Sequence, residues 1–198
     1  LIDAHFIYPD GVAAGLIAKA LKKRIVITSR GTDINWYPRF RLIRPLIRRA
    51  LMGADAVVAV SENLKDEIKK MGWGDDDVVV IPNGVDTKKF YPRPRAEARR
   101  QLNLPPDRKI ILSIGHLLEA KGFHLLIEAL SKMNSADADL VIIGNGPYKE
   151  KLQQLTEAHG LSSRVRFLPE KPQEELPLWY AAADTFALTS LREGRPNV

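Results

Sequence analysis

Short apolar runs alternate along the whole chain with longer segments in which apolar residues recur every three or four positions. The short runs are rich in valine and isoleucine and end at polar or glycine-containing turns, as strands buried in a parallel sheet do. The longer segments have the periodicity of amphipathic helices. Strands that alternate with helices predict an α/β protein in which helices cover parallel sheets.

The first half contains three predicted strands, at residues 24–29, 55–61 and 78–82. Between the last two, a helix is expected to be capped by the Ser61 hydroxyl and to end at Gly72. Four prolines interrupt the pattern after the third strand and leave room for one short helix. We therefore predict a first domain at residues 1–91, a linker at 92–108 and a second domain at 109–198.

The second half consists of repeated strand–helix units. Strands are predicted at residues 109–114, 139–144, 165–169 and 185–190, and helices at 122–133, 148–160 and 172–184. Repeated crossovers of this kind predict parallel strands in a Rossmann-like domain. Ligands of such sheets bind beyond the carboxyl ends of the strands, so the residues that follow each strand are the candidates for a site.

Charge and composition limit the kinds of ligand and partner that the protein is expected to bind. Of the 198 residues, 30 are Lys or Arg and 24 are Asp or Glu, so anionic partners such as nucleotides, phosphorylated substrates or anionic lipid are favoured. No nucleic-acid-binding motif accompanies this charge, so no nucleic acid is expected. The chain has no cysteine, and its histidines lack metal-ligand spacing, so no structural zinc is expected. No apolar run approaches the roughly 18 residues of a spanning helix, and a cytoplasmic location is expected.

The loop after the first strand of the second half has features of a phosphate site. Gly115 would let an anion approach the backbone, a helix that starts near Gly122 would present unpaired N–H groups, and Lys121 would add a full charge. An ordinary loop with a solvated lysine fits the spacing equally well. After the next strand, Gly144 and Gly146 form a Gly-x-Gly turn, which alone is weak evidence for a ligand site.

Three further groups of polar residues follow predicted strands. Glu193 stands after the last strand beside arginine and asparagine side chains, where either a ligand site or a solvated loop would fit. In the first half, His5 ends one apparent strand and Arg30 and Asp33 follow another, so these three are expected at the same rim.

An arginine-rich amphipathic segment lies between the predicted strands at residues 24–29 and 55–61. Its arginines are Arg39, Arg41, Arg44, Arg48 and Arg49. Arginines beside aromatic residues suit a helix that lies on an anionic membrane surface. The alternative is an ordinary amphipathic helix packed on the sheet.

Seven segments, taken in order, resemble the retaining glycosyltransferases of family 4. They are HFIYPDG, SRGTDI, ADAVVAVSENL, VIPNGVDTKKFYP, ILSIGHLLEAKG, LVIIGNGP and YAAADTFALTSLREGRPNV. The resemblance implies the GT-B fold, with two Rossmann-like domains that are both incomplete in this chain. It implies that a glycosyl group passes from a nucleotide-sugar donor to a saccharide, lipid-linked or small-molecule acceptor with retained configuration, without metal or other cofactor, in polysaccharide biosynthesis.

The resemblance also assigns residues. The donor-binding residues are Gly115, His116, Lys121, Gly144, Gly146, Glu193, Gly194, Asn197 and Val198, and the acceptor-side residues are His5, Gly11 and Asp33. Glu193, Lys121 and Arg30 are the catalytic candidates, with Lys121 on the donor diphosphate. His116 stands where the family usually has arginine and Arg30 where many members have histidine, so Arg30 either supplies charge to the leaving diphosphate or marks a different site arrangement.

Two other functions are compatible with the sequence. Another GT-B enzyme, such as a sugar-nucleotide 2-epimerase, would consume a nucleotide sugar with no acceptor present. A non-catalytic basic module would dock on anionic membrane or polymer and bind no nucleotide. The resemblance implies that both natural termini of such an enzyme are missing, so residues 1–198 alone are expected to be inactive. The arginine-rich segment leads us to expect a peripheral position at the inner face of the membrane.

Overall fold

The computed structural model describes residues 1–74, 78–133, 137–191 and 193–198. Two compact units are present, one made of Leu1–Gly84 with Glu193–Asn197 and the other of Val85–Arg192 with Val198. Each unit has its own four-stranded sheet in which all strand pairs are parallel. The predicted α/β class with two Rossmann-like sheets is therefore confirmed. Within the described residues, no helix is long and apolar enough to cross a membrane.

The first unit has strand order β1-β2-β3-β4. Its strands are β1 Ile2–His5, β2 Ile25–Ser29, β3 Ala56–Ala59 and β4 Val78–Val80. Its helices are α1 Val12–Leu21, α2 Thr32–Asn35, α3 Ile43–Met52 and α4 Glu62–Lys70, with short turns at Ile7–Gly11 and Tyr37–Arg39. Fully buried residues of β2 and β3 pack against Ile47 and Leu51 of α3 and Leu64 and Ile68 of α4 to form its core.

Helix α1 was not predicted, and its exposure explains why. Only Ala18 of this helix is buried, whereas Leu16, Ile17 and Leu21 are 65%, 53% and 61% exposed. A helix that is apolar nearly all round has no polar face to reveal its period. Helix α4 matches its prediction, because the Ser61 hydroxyl accepts a hydrogen bond from the Leu64 N–H at 3.4 Å.

The second unit has strand order β7-β6-β5-β8. Its strands are β5 Lys109–Ile114, β6 Ala138–Ile143, β7 Val165–Leu168 and β8 Thr185–Phe186. Its helices are α5 Arg95–Gln101, α6 Phe123–Ser131, α7 Lys149–Ala158 and α8 Leu176–Ala182, with a short turn at Glu119–Lys121. Ile127 and Leu152 belong to one core cluster and Ala98 and Trp179 to a second one, so α6 and α7 pack in a different cluster from α5 and α8.

The predicted linker at residues 92–108 is part of this second unit, and the division falls after Gly84. Ala98 and Leu104 are only 1% and 7% exposed in the second core cluster. The prolines do interrupt the helical pattern, but burial of these apolar side chains folds the segment onto the sheet.

Two element boundaries in the second unit also differ from their predictions. Strand β8 ends at Phe186 instead of residue 190, because the chain turns toward the loop after β5, where the Thr189 hydroxyl donates to the Gly122 carbonyl. Helix α8 begins at Leu176, not at residue 172, with Pro177 in the first turn that proline favours.

Candidate functional site

The strand order of the second unit defines where a ligand can bind. The chain winds outward from β5 through β6 to β7 and then returns to place β8 on the other side of β5. The strand order therefore reverses at β5. In open parallel sheets, a crevice forms at such a reversal, beyond the carboxyl ends of the two strands, and ligands bind there.

The loop after β5 carries three of the predicted donor-binding residues. Gly115 directly follows the strand, His116 is exposed, and Lys121 is half-buried at the end of the short turn. Gly122 has a φ of 68° and caps α6, whose N terminus receives no side-chain cap. The backbone N–H groups and partial positive charge of this helix end therefore lie next to Lys121 along the chain.

The chain after β8 packs on this loop. The Thr189 hydroxyl donates to the Gly122 carbonyl at 2.8 Å, and the Leu191 N–H donates to the Ala120 carbonyl at 2.9 Å. A Cβ on Gly122 would overlap the Thr189 carbonyl. Thr189 was missed by the sequence argument, although a hydroxyl that follows a buried strand was a signal that could have found it.

Gly144 and Gly146, predicted to bind the donor, pack against the β5 loop. The Leu117 N–H donates to the Asn145 carbonyl at 2.8 Å, so the two loops are tied together. A Cβ on Gly144 would overlap the Gly115 carbonyl, and one on Gly146 would lie 2.7 Å from the Leu117 nitrogen. The turn has no space for side chains, and the β5 loop rests directly on its backbone.

In the first unit, His5 and Arg30 meet at the carboxyl ends of β1 and β2, as predicted. Arg30 Nη2 lies 2.7 Å and Arg30 Nε 3.2 Å from His5 Nδ1, and Arg30 Nη1 donates to Asn83 Oδ1 at 2.8 Å. The Asn83 amide also donates to Asn197 Oδ1 at 2.8 Å. The guanidinium of Arg30 is thus held by two side chains from neighbouring parts of the rim.

Asp33 and Gly11, predicted on the acceptor side, both lie inside the first unit. The Asp33 side chain is fully buried. Its carboxylate accepts hydrogen bonds from the N–H groups of Ile7, Arg30 and Gly31 and from the Ser29 hydroxyl. A Cβ on Gly11 would lie 3.2 Å from Ile27 Cγ2. The Asp33 carboxylate therefore organises the loop after β2, and Gly11 allows close packing against β2.

The predicted donor residues near the end of the chain divide between the units. Glu193–Asn197 cluster with the first unit. The Glu193 carbonyl accepts a hydrogen bond from the Asn35 side chain at 3.3 Å, and a Cβ on Gly194 would overlap the Arg30 carbonyl. Asn35 was not predicted, since nothing in its sequence context marked it.

Val198 clusters with the second unit, where its carbonyl accepts a hydrogen bond from the Tyr180 hydroxyl at 2.9 Å. Burial raises the pKa of the Tyr180 hydroxyl, so this group is a proton donor at neutral pH. Among the residues that the structure describes, no group of three or more His, Cys, Asp or Glu side chains is placed to hold a metal.

The arginine-rich segment shows features of both predicted arrangements. Ile47 and Leu51 of α3 are fully buried, as the packed-helix alternative expects, whereas Leu42 is 87% exposed. Arg39 lies against the Trp36 ring. The other four arginines of the segment, Arg41, Arg44, Arg48 and Arg49, are exposed.

Solved structures with the same fold place the molecule in a class. HepE from Anabaena, crystallised in complex with UDP, has a TM-score of 0.80 at 23% identity, over 91% of this chain and 50% of its own. Sucrose-phosphate synthase from Thermosynechococcus elongatus has a TM-score of 0.82 at 22% identity, over 99% and 51%. These likenesses show the fold, two parallel-sheet Rossmann-like halves as in GT-B glycosyltransferases.

Sequence comparison then identifies the family. The family described as "Glycosyl transferases group 1" matches residues 94–198, more than half of the chain, and the one described as "Glycosyltransferase Family 4" matches residues 1–89. The chain belongs to the glycosyl transferases group 1 family.

Two curated relatives match most of the chain. TuaC of Bacillus subtilis (strain 168), named as a teichuronic acid biosynthesis glycosyltransferase, is 32% identical over 201 residues, which cover 100% of this chain and 49% of TuaC. A GDP-mannose-dependent alpha-(1-6)-phosphatidylinositol monomannoside mannosyltransferase of Mycolicibacterium smegmatis is 32% identical over 189 residues, with 94% and 49% covered. The chain spans about half the length of the curated relatives it matches.

Proposed function

We propose that the protein acts in a glycosyltransferase that moves a sugar from a nucleotide-sugar donor to an acceptor hydroxyl. One observation carries this proposal: Lys121 and an uncapped helix N terminus follow β5 at the reversal of strand order. Rossmann-like sheets bind nucleotides at this point. Similar proteins agree with this proposal, since the M. smegmatis relative is GDP-mannose-dependent and HepE was crystallised with UDP.

The loop after β5 is proposed to hold the donor diphosphate without a metal. Lys121 would supply a full positive charge, and the first N–H groups of α6 would supply donors and the positive end of the helix dipole. His116 is exposed in the same loop. Gly144 and Gly146 would support donor binding by holding this loop in place.

Retention of configuration is the proposed stereochemical outcome. The bond from the anomeric carbon to the diphosphate oxygen would break while the acceptor oxygen bonds to that carbon on the same face. The acceptor proton would pass to the departing diphosphate, so no carboxylate nucleophile is needed.

A calorimetric titration tests the donor site. Uridine, guanosine and adenosine diphosphates are titrated separately onto the protein with a chelator present. Saturable binding of one of them is expected, and it would identify the base of the donor. The absence of binding by all three would contradict the proposal and favour the non-catalytic docking module.

We also propose that the α1–α3 surface of the first unit contacts an anionic membrane. This surface consists of the exposed residues Leu16, Ile17, Lys19, Leu21, Lys22, Lys23, Arg41, Leu42, Arg44, Leu46, Arg48 and Arg49. The two helices pack side by side, so their apolar side chains and cations share one region. Exposed leucines beside basic residues suit insertion at the headgroup level of anionic lipid.

Vesicle sedimentation tests this surface. The protein is expected to bind vesicles of equal parts phosphatidylcholine and phosphatidylglycerol, and not pure phosphatidylcholine. Arg44→Gln with Arg48→Gln should weaken binding about tenfold or more, because each cation near such a surface contributes about 1 kcal/mol. The matched control is Arg166→Gln with Lys132→Gln, two exposed cations of the second unit. Equal binding to both vesicle types, or no effect of the double substitution, would refute membrane contact.

A further inference from the structure

A large cavity of the second unit has no part in the donor site. It has a volume of about 1150 Å³. Lys109, the first residue of β5, and Asp184, the residue before β8, both line it, so it opens at the amino-terminal edge of the sheet. The loops of the donor site follow the carboxyl ends of the strands and therefore lie at the opposite edge.

The cavity is strongly cationic. Six cationic side chains and three carboxylates line it: Arg93, Arg95, Arg99, Arg100, Arg108 and Lys109 with Glu97, Asp107 and Asp184. Two of the cations have their own carboxylate partners, since Arg100 pairs with Glu97 and Arg108 with Asp139. Two of the others, Arg95 and Arg99, lie at Asp184.

Asp184 is shared by two guanidinium groups. Arg95 Nη1 and Arg99 Nη2 each lie 2.6 Å from one of its carboxylate oxygens. Burial alone would raise the pKa of Asp184, but the Ile110 N–H and the two arginines lower it, so the group is ionised at neutral pH. One negative charge therefore faces two positive ones.

The neighbouring arginines differ in how firmly they are held. The Arg99 side chain is 7% exposed and also donates to the carbonyls of Ala182 and Pro106, so it belongs to the folded framework. The Arg95 side chain is 53% exposed. Arg93 lines the cavity and lies 4.6 Å over the Tyr91 ring. The guanidinium groups of Arg93 and Arg95 are therefore the ones that a ligand in the cavity would contact.

We propose that this arginine cavity binds a diphosphate group, separately from the donor site. Guanidinium groups bind phosphate oxygens bidentately, and excess positive charge in a recess concentrates multivalent anions. The volume is ample for a diphosphate, either free or as part of a larger molecule. The assignment depends on residues 93–109 and 184 alone and stands whether or not the protein transfers sugars.

Titration of inorganic pyrophosphate at constant ionic strength tests this site, with Lys121→Ala as the background that weakens the donor site. Binding is expected to persist in that background. Arg93→Gln with Arg95→Gln should then raise the Kd at least about tenfold, because two charge-assisted contacts are lost. The matched control is Lys132→Gln with Arg166→Gln, two exposed cations of the second unit that do not line the cavity.

Three outcomes would overturn the proposal: no pyrophosphate binding, loss of binding in Lys121→Ala alone, or no effect of the double substitution in the cavity. An unchanged circular dichroism spectrum and urea midpoint would show that the cavity variant is folded. A parallel titration of a nucleoside diphosphate separates the sources. If the nucleoside diphosphate binds more tightly than pyrophosphate and this binding is lost in the cavity variant, the natural ligand is a diphosphate carried by a larger molecule. If the nucleoside diphosphate binds more weakly than pyrophosphate, the natural ligand is the free anion.

Discussion

Replacing Lys121 with alanine is expected to weaken binding of the donor nucleoside diphosphate by roughly a hundredfold. Lys121 is half-buried beside the N terminus of α6, so its charge is less screened than that of a surface lysine. Loss of one partner from a partly desolvated, hydrogen-bonded charge pair costs about 3 kcal/mol, which corresponds to two orders of magnitude in Kd. The measurement is the calorimetric titration with whichever diphosphate binds the unaltered protein.

The matched control for this variant lies at the other end of the same helix. Lys132 is exposed at the C-terminal cap of α6, so Lys132→Ala removes an equal charge from α6 and should leave the Kd unchanged. Lys121→Arg keeps the charge and is expected to bind more tightly than Lys121→Ala. If Lys121→Ala binds the nucleotide as tightly as the unaltered protein, the β5 loop is not the diphosphate site.

Gly144→Ala is expected to destabilise the second unit by about 3 kcal/mol or more, because two costs combine. Gly144 has a φ of 155°, which L-residues rarely adopt, and its Cβ would overlap the Gly115 carbonyl. The surrounding β5 and β6 are buried on both faces and cannot relax easily. Hydrogen exchange of the β5 and β6 amides in urea measures this unit by itself, and nucleotide binding should weaken in parallel as the β5 loop moves.

Alanine substitutions at two other glycines separate the cost of backbone strain from the cost of steric overlap. Gly160 has a φ of 65° with nothing within 4 Å of an added Cβ, so Gly160→Ala should cost only the backbone strain, about 1 kcal/mol. Gly15, inside α1, also has open space, and Gly15→Ala should stabilise the protein by about 0.5 to 1 kcal/mol. A cost for Gly144→Ala no larger than that for Gly160→Ala would show that the loop contact is loose.

Local sequence patterns predicted the structure correctly wherever residues close together in the chain determine it. The run at residues 109–114 was predicted as a strand and is one, because a parallel strand buried between two layers of helices needs a continuous apolar run. Ser61 was predicted to cap a helix and does, because its hydroxyl satisfies an N–H only three residues away. The meeting of His5 with Arg30 followed from one rule, that the carboxyl ends of parallel strands share an edge.

The sequence by itself therefore determined the α/β class, most helices and strands, and the loops in which a site could lie. The tertiary structure alone decided what several of those residues do. Asp33 was predicted to be an acceptor-side residue, but in the fold its carboxylate accepts hydrogen bonds from four donors. Residues 92–108 were predicted to be a linker, but Arg99 donates a hydrogen bond to Asp184, 85 positions away. Burial and pairing depend on which distant segments meet in space, and local periodicity carries no information about those meetings.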